Sequence, residues 1–137
     1  MRLWHKDLIR YLPRKQLIAQ WRECCCIARN IHENGTPNHI LVNPILDYPE
    51  DEFNTYAEMI VEEMRNRGYE IDIWKFYRWR YDKNTILPGS IFRGWHSQRY
   101  LVQCYYNLQE KYDRGGISEE EWRIFEDGYS RLKQSFC

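Results

Sequence analysis

At 137 residues, with no low-complexity tract and no internal repeat, the chain is sized for a single domain, 1–137, with a core of its own, and no second domain is expected. Its 20 Lys and Arg balance 20 Asp and Glu, so the whole molecule exerts no net pull on polyanions, which counts against tight non-specific nucleic-acid binding. With 6 Trp and 11 Tyr against 7 Gly and 5 Pro, and neither a signal peptide nor a long apolar run, the composition suits a helical, soluble, cytoplasmic protein with no membrane partner.

The amino end, Met1-Arg2-Leu3-Trp4-His5, starts without a leader or polar tail, and Leu3, Trp4, Leu8, Ile9 and Leu12 equip it to dock onto a core. Pro13 suits the first turn of the helix that follows, where its missing N–H is no loss. Residues 14–29, RKQLIAQWRECCCIAR, predict the first main helix. Leu17, Trp21, Cys24 and Ala28, flanked by Ile18 and Cys25, recur at helical spacing as one buried stripe. Lys15, Arg22 and Arg29 are spaced seven apart, drift only about 20° per step, and form a second, cationic face. Glu23 lies about 100° round from Arg22, in line with Gln16 and Gln20, a lone carboxylate on a polar row beside the basic one. In an arbitrary helix such a row is a solvated face with a local ion pair. The run Cys24-Cys25-Cys26 fans out in three directions and the chain has no CxxC, so its 5 cysteines are read as reduced thiols, some of them small core residues, and not as a metal site.

IHENGTPNHILVNPIL, residues 31–46, carries Asn34-Gly35, Pro37 and Pro44 and reads as a loop with brief extended pieces; His32 and His39 are hydrogen-bonded loop residues on that reading. Tyr48-Pro49-Glu50-Asp51-Glu52 opens a second helix, whose buried stripe is Phe53, Tyr56, Ala57, Ile60, Val61 and Met64 and whose stop is Gly68. WKFYRWRY, residues 74–81, interleaves rings with cations. It either stacks unpaired bases and holds phosphates, or packs its rings and leaves the cations in water. A third helix runs from about His96 to Tyr112 with Leu101, Cys104, Tyr105 and Leu108 inward and Arg99 and Lys111 outward. Ser118-Glu119-Glu120-Glu121 is a capping-box start for a short final helix lined by Trp122, Phe125, Tyr129 and Leu132. The fold class is therefore all-α, three main helices plus a short C-terminal one, with long irregular connections.

The zero net charge conceals a partition. Residues 1–31 carry net +5, residues 32–72 net −8, residues 73–114 net +5 and residues 115–137 net −2. If the two basic blocks meet in space, they make a cationic face on a neutral protein.

MRLW at the start, Leu12-Pro13, Gln16-Leu17 and Trp21-Arg22-Glu23 follow one another in an order and spacing that resembles the pyrimidine-dimer DNA glycosylase family, the phage endonuclease V type. Asn38-His39, MRNRGYEID at residues 64–72, and the stretch Ser97 to Arg114 with Leu108 and Lys111 add to the likeness, which is clear over roughly the first 72 residues and thinner after them. The resemblance implies a DNA repair glycosylase and abasic-site lyase working on double-stranded damaged DNA, with no cofactor or metal, and a monomer is expected. In that family the terminal α-amine attacks the sugar carbon bearing the damaged base, forms an imine, and cleaves the strand by β-elimination. Met1 precedes a bulky Arg, which prevents its removal, so the implied nucleophile is the Met1 amine and the implied catalytic carboxylate is Glu23. An α-amine titrates near about 7.7–8.0, so part of it is already neutral at pH 7. Arg2, Arg22 and Lys111 are the implied phosphate holders around a flipped nucleotide, and Lys15, Arg29, His39 and Arg99 complete the candidate DNA contacts. The region from Trp74 to Trp95 has no counterpart in the family pattern. Two other readings stay open at this point: a non-catalytic nucleic-acid-binding module derived from the same fold, and a protein-interaction role with packed rings and solvated charges.

Overall fold

The computed structural model describes residues 1–135, and among them there are helices and irregular connections but no strand. Four helices carry the core: α1 Arg14–Asn34, α2 Glu50–Asn66, α4 Gln98–Asp113 and α5 Glu119–Ser135, with a single turn, α3 Trp74–Tyr77, between the second and the third of them. Short 3-10 segments at Lys6–Tyr11, Asn43–Asp47 and Pro88–Ser90 tighten the connections. The all-α expectation holds, with two changes of length.

α1 continues to Asn34, more than a turn past Arg29, and stops only where Gly35 takes φ 76°, its N–H bonded to the Ile31 carbonyl. A left-handed residue suits glycine, so the Asn34-Gly35 signal marks the end of this helix and not a point inside a loop. His32 is consequently helical. α5, expected to be short, has 17 residues, as many as α2. Its start is the expected capping box, with the Glu121 N–H bonded to Ser118 Oγ at 3.2 Å. The other carboxylate oxygen of Glu121 accepts the Arg14 N–H at 2.7 Å, which caps α1 from across the fold.

The stripes land where periodicity puts them. Leu17, Trp21, Cys24 and Ala28 of α1 are buried, as are all six predicted stripe residues of α2, and Leu101, Cys104, Tyr105 and Leu108 of α4. Leu3 and Leu8 are fully buried and Ile9 and Leu12 nearly so, which docks the amino-terminal segment onto the core. Each such leucine stabilises the fold by about 2 kcal/mol relative to an exposed position. The turn at Lys6–Tyr11 packs on α5 through Tyr11, whose ring lies on Gly128; a Cβ there would meet Tyr11 Cγ at 2.3 Å.

α3 rests against α1, with Phe76 fully buried against Phe53 and Trp21. Of the cations in this segment, Arg80 goes inside: it is 6% exposed, donates to Asn54 Oδ1 at 2.9 Å and to the Glu50 carbonyl at 3.1 Å, and faces the rings of Phe53 and Phe76. Further on, Phe92 sits buried at φ 57°, a conformation a bulky residue rarely takes, and is held there by a 2.7 Å bond from its N–H to the buried Glu52 carboxylate. The reversal places His96 beneath the amino-terminal segment.

Candidate active site

Gln20 organises the site. It is fully buried, and its side chain makes four hydrogen bonds. Its Oε1 accepts the Trp4 N–H at 2.7 Å and the Tyr56 hydroxyl at 2.9 Å, while its Nε2 donates to the Arg2 carbonyl at 3.0 Å and to Glu23 Oε2 at 2.9 Å. One amide thus fixes both the main chain of residues 2–4 and the carboxylate one turn along α1. Tyr56, whose single hydroxyl proton is shared between Gln20 Oε1 and the Trp4 carbonyl at 2.6 Å, and Tyr100, which donates to the Leu3 carbonyl at 2.5 Å, complete the clamp.

Below this lies a histidine pair. The Asp7 N–H donates to His5 Nδ1 at 3.1 Å, so His5 carries its proton on Nε2 and donates it to the His96 carbonyl at 3.0 Å. His96 Nδ1 in turn accepts the Lys6 N–H at 2.9 Å. Burial pushes both pKa values down, that of His96 well down with help from the charges of His5 and Lys6, so both rings are neutral at physiological pH.

Glu23 is half-buried, and its pKa is raised. Burial is the main cause, opposed by the terminal ammonium of Met1, the Gln20 amide and Lys111. It lines a cavity of about 710 Å³ together with Trp4, Lys15, Gln16, Lys111 and Arg114. Gln16 is 7% exposed, and among the described residues its Oε1 finds no hydrogen-bond partner. A carboxylate kept hungry for a proton, facing an amine and cations beside a cavity of this size, is suited to accepting and returning protons on a bound anionic substrate.

The structure draws together Met1, Glu23, Lys15 and Lys111 of the residues singled out from sequence. Arg2 stands beside them, half-buried, with its guanidinium 5.9 Å from the ring centres of both Trp4 and Tyr100. Arg22 is exposed on α1 beside Glu23. Arg29 lies about two turns further along the same face, paired with Glu33 at 3.2 Å and lying over Trp79. Arg99 opens α4 while Lys111 nears its end, twelve residues and about 18 Å of helix rise away. His39 is engaged locally: its Nδ1 accepts the Leu41 N–H at 3.3 Å. Gln20, Tyr56 and Tyr100 were not found from sequence; the only hint was the polar row Gln16, Gln20, Glu23, whose consequence depends on what the amino end does.

The basic blocks do meet. Lys111, from the second block, acts on Glu23 of the first, and Lys75 of α3 and Arg78 just after it lie near enough to Cys25 to lower its thiol pKa against a larger upward push from burial, which leaves it at about 11. Cys24 is buried, Cys25 half-buried and Cys26 exposed, as a helical run requires. Among the described residues no group of three or more His, Cys, Asp or Glu is placed to hold a metal ion, and no helix is long and apolar enough to cross a membrane.

Taken together, these features define a helical protein with a cavity lined by a half-buried carboxylate and by Lys15, Lys111 and Arg114, the carboxylate feeling the charge of the amino terminus. The profile of the pyrimidine dimer DNA glycosylase family matches residues 1–75, more than half of the chain, and the protein belongs to that family. Neither the comparison with curated proteins nor that with solved structures gave a match. The matched span contains the amino-terminal segment, α1 and α2, with Gln20, Glu23 and Tyr56; Tyr100 and Lys111 lie outside it.

Proposed function

We propose that the protein is a DNA repair glycosylase with abasic-site lyase activity, carried by the Met1 amine and Glu23. The neutral amine attacks C1′ of the damaged nucleotide, the glycosidic electron pair leaves with the base, and an imine joins the protein to the opened sugar. Glu23 stabilises the positive charge that develops on the sugar and then takes the proton from C2′; the 3′ phosphate departs as the β-elimination product. Lys15, Lys111, Arg2 and Arg22 hold phosphates, the substrate is damaged duplex DNA such as a pyrimidine dimer, and the chemistry needs no metal or cofactor. The protein acts as a monomer in the cytoplasm.

The observation that carries this reading is the Gln20 amide, which ties the Arg2 and Trp4 main chain and the Glu23 carboxylate to one point. The test is borohydride trapping on an abasic-site duplex and on a dimer-containing duplex, with peptide mass spectrometry of the adduct. A covalent adduct on the residue 1 nitrogen, lost on amine acetylation, is expected. Protein with a demonstrably free Met1 amine that binds the abasic duplex and traps nothing would refute the proposal and leave a non-catalytic binding module.

A further inference from the structure

The segment after α3 runs alongside α1 in matching order. Lys75 and Arg78 lie near Cys25, Arg29 lies over Trp79 at 5.6 Å, and His32 contacts both Trp79, at 5.6 Å between ring centres, and Tyr81, at 5.4 Å. Residues 22, 25, 29 and 32 fall on one stripe of α1, so the rings close off one end of a strip that carries Arg22, Arg29, Lys75 and Arg78. Glu33, bound to Arg29, and Asp82, which follows Tyr81 in the chain, are the acids at this end. Trp79 is half-buried, while His32 is exposed and Tyr81 is 83% exposed, so the outer ring presents an open face. An aromatic that contributes so little to the core, held tilted against a second ring at the end of a cationic track, matches the requirements of a nucleobase with its phosphate.

We propose that His32, Trp79 and Tyr81, with Arg29, form a stacking platform for an unpaired base of the DNA, separate from the cavity at Glu23. His32 lies nine residues from Glu23 along α1, about 14 Å of helix rise, which corresponds to about four base-pair steps of duplex. The platform therefore favours damaged DNA that is frayed or mismatched about four nucleotides to one side of the lesion, and is indifferent to the same defect on the other side. The charge of the strip favours a polyanion over a neutral or basic partner, and the open ring favours one that carries bases. The inference rests on DNA being the substrate, as in the preceding section, but not on the chemistry at Met1.

The test compares equilibrium binding of abasic-site duplexes that are fully paired, or carry a two-nucleotide mismatch four or ten positions away on either side, at one fixed salt concentration. The wild type is expected to bind the duplex mismatched at four positions on one side about 10-fold tighter than the fully paired one. Tyr81→Ala removes that gain and leaves fully paired binding and borohydride trapping unchanged, and Tyr81→Phe keeps the gain. At so exposed a position neither variant threatens the fold. Equal affinity for all duplexes, or a loss in Tyr81→Ala shared by paired and mismatched DNA alike, would overturn the platform. Failure of trapping on the paired duplex would instead count against the lyase reading while leaving the binding ratio to be read.

Discussion

Replacing Gln20 by alanine tests the site most directly. The truncation removes two hydrogen bonds to neutral groups, from the Trp4 N–H and to the Arg2 carbonyl, each contributing about 1 kcal/mol net, and one to a carboxylate, contributing about 1.5–3 kcal/mol. Tyr56 keeps its bond to the Trp4 carbonyl, so its hydroxyl is not stranded, but the Trp4 N–H and the Arg2 carbonyl are. A destabilisation of about 3–5 kcal/mol is expected, which at this chain length lowers Tm by about 10–15 °C. Activity should fall further than stability. With the amine no longer tied to the carboxylate, a displacement of about 1 Å is enough to slow imine formation about 100-fold. The assay is single-turnover borohydride trapping on abasic duplex well below the variant's Tm, with the folded fraction measured by circular dichroism. Gln20→Glu is the paired control. It keeps both acceptor bonds but sets a second carboxylate against Glu23, so the acid limb of the pH–rate profile should move to higher pH. Gln20→Ala that loses stability and yet traps at the wild-type rate per folded molecule would refute the idea that this amide positions the chemistry.

Glu23→Gln should abolish elimination and also stabilise the fold at neutral pH. Because burial raises the Glu23 pKa, the native state holds that proton more tightly than the unfolded chain, and the contribution is lost as pH rises through the native value. Gln carries no charge, and its amide oxygen still accepts from Gln20, so a Tm gain of about 3 °C is expected above the native pKa, shrinking below pH 4.5; a loss of Tm at pH 8 would contradict it. The two buried histidines act in the opposite sense. Both are neutral in the native state and titrate near 6.5 when unfolded, so stability measured by urea melts should be full above 6.5 and fall as pH drops below it towards their lowered native values. Asp7 partly offsets the effect at His5, and the fall should be steeper in Glu23→Gln, where the counteracting carboxyl is absent. Gly128→Ala pushes a methyl into the Tyr11 ring and should cost about 1–3 kcal/mol in denaturant unfolding, with most of it restored in the double variant carrying Tyr11→Ala; an unaffected single variant would show that the 3-10 segment at Lys6–Tyr11 is not seated on α5.

Periodicity, capping and turn chemistry act between residues near in sequence, so they were legible without coordinates. The buried stripes of α1, α2 and α4 and the capping box of α5 follow from spacing and residue type alone. The same local rules misplaced the end of α1, because a glycine that terminates a helix and one inside a loop look alike until the preceding residues are seen to pack: Ile31 lies against the core, so the helix runs on to it. The candidate pair Met1 and Glu23, with Arg2, Arg22 and Lys111, came from the order of short motifs. Why Glu23 sits beside the amino end did not, since it depends on Gln20, Tyr56 and Tyr100, drawn from three helices and meeting main chain at residues 2–4. Hydrogen bonds of that kind have no period. Likewise, a list of rings and cations at residues 74–81 cannot say which of them desolvation will reward: Arg80 finds an amide and two rings and goes inside, while Tyr81 meets the His32 ring and stays out. Local physics thus set the helices and their faces, and long-range packing decided which polar groups share a site.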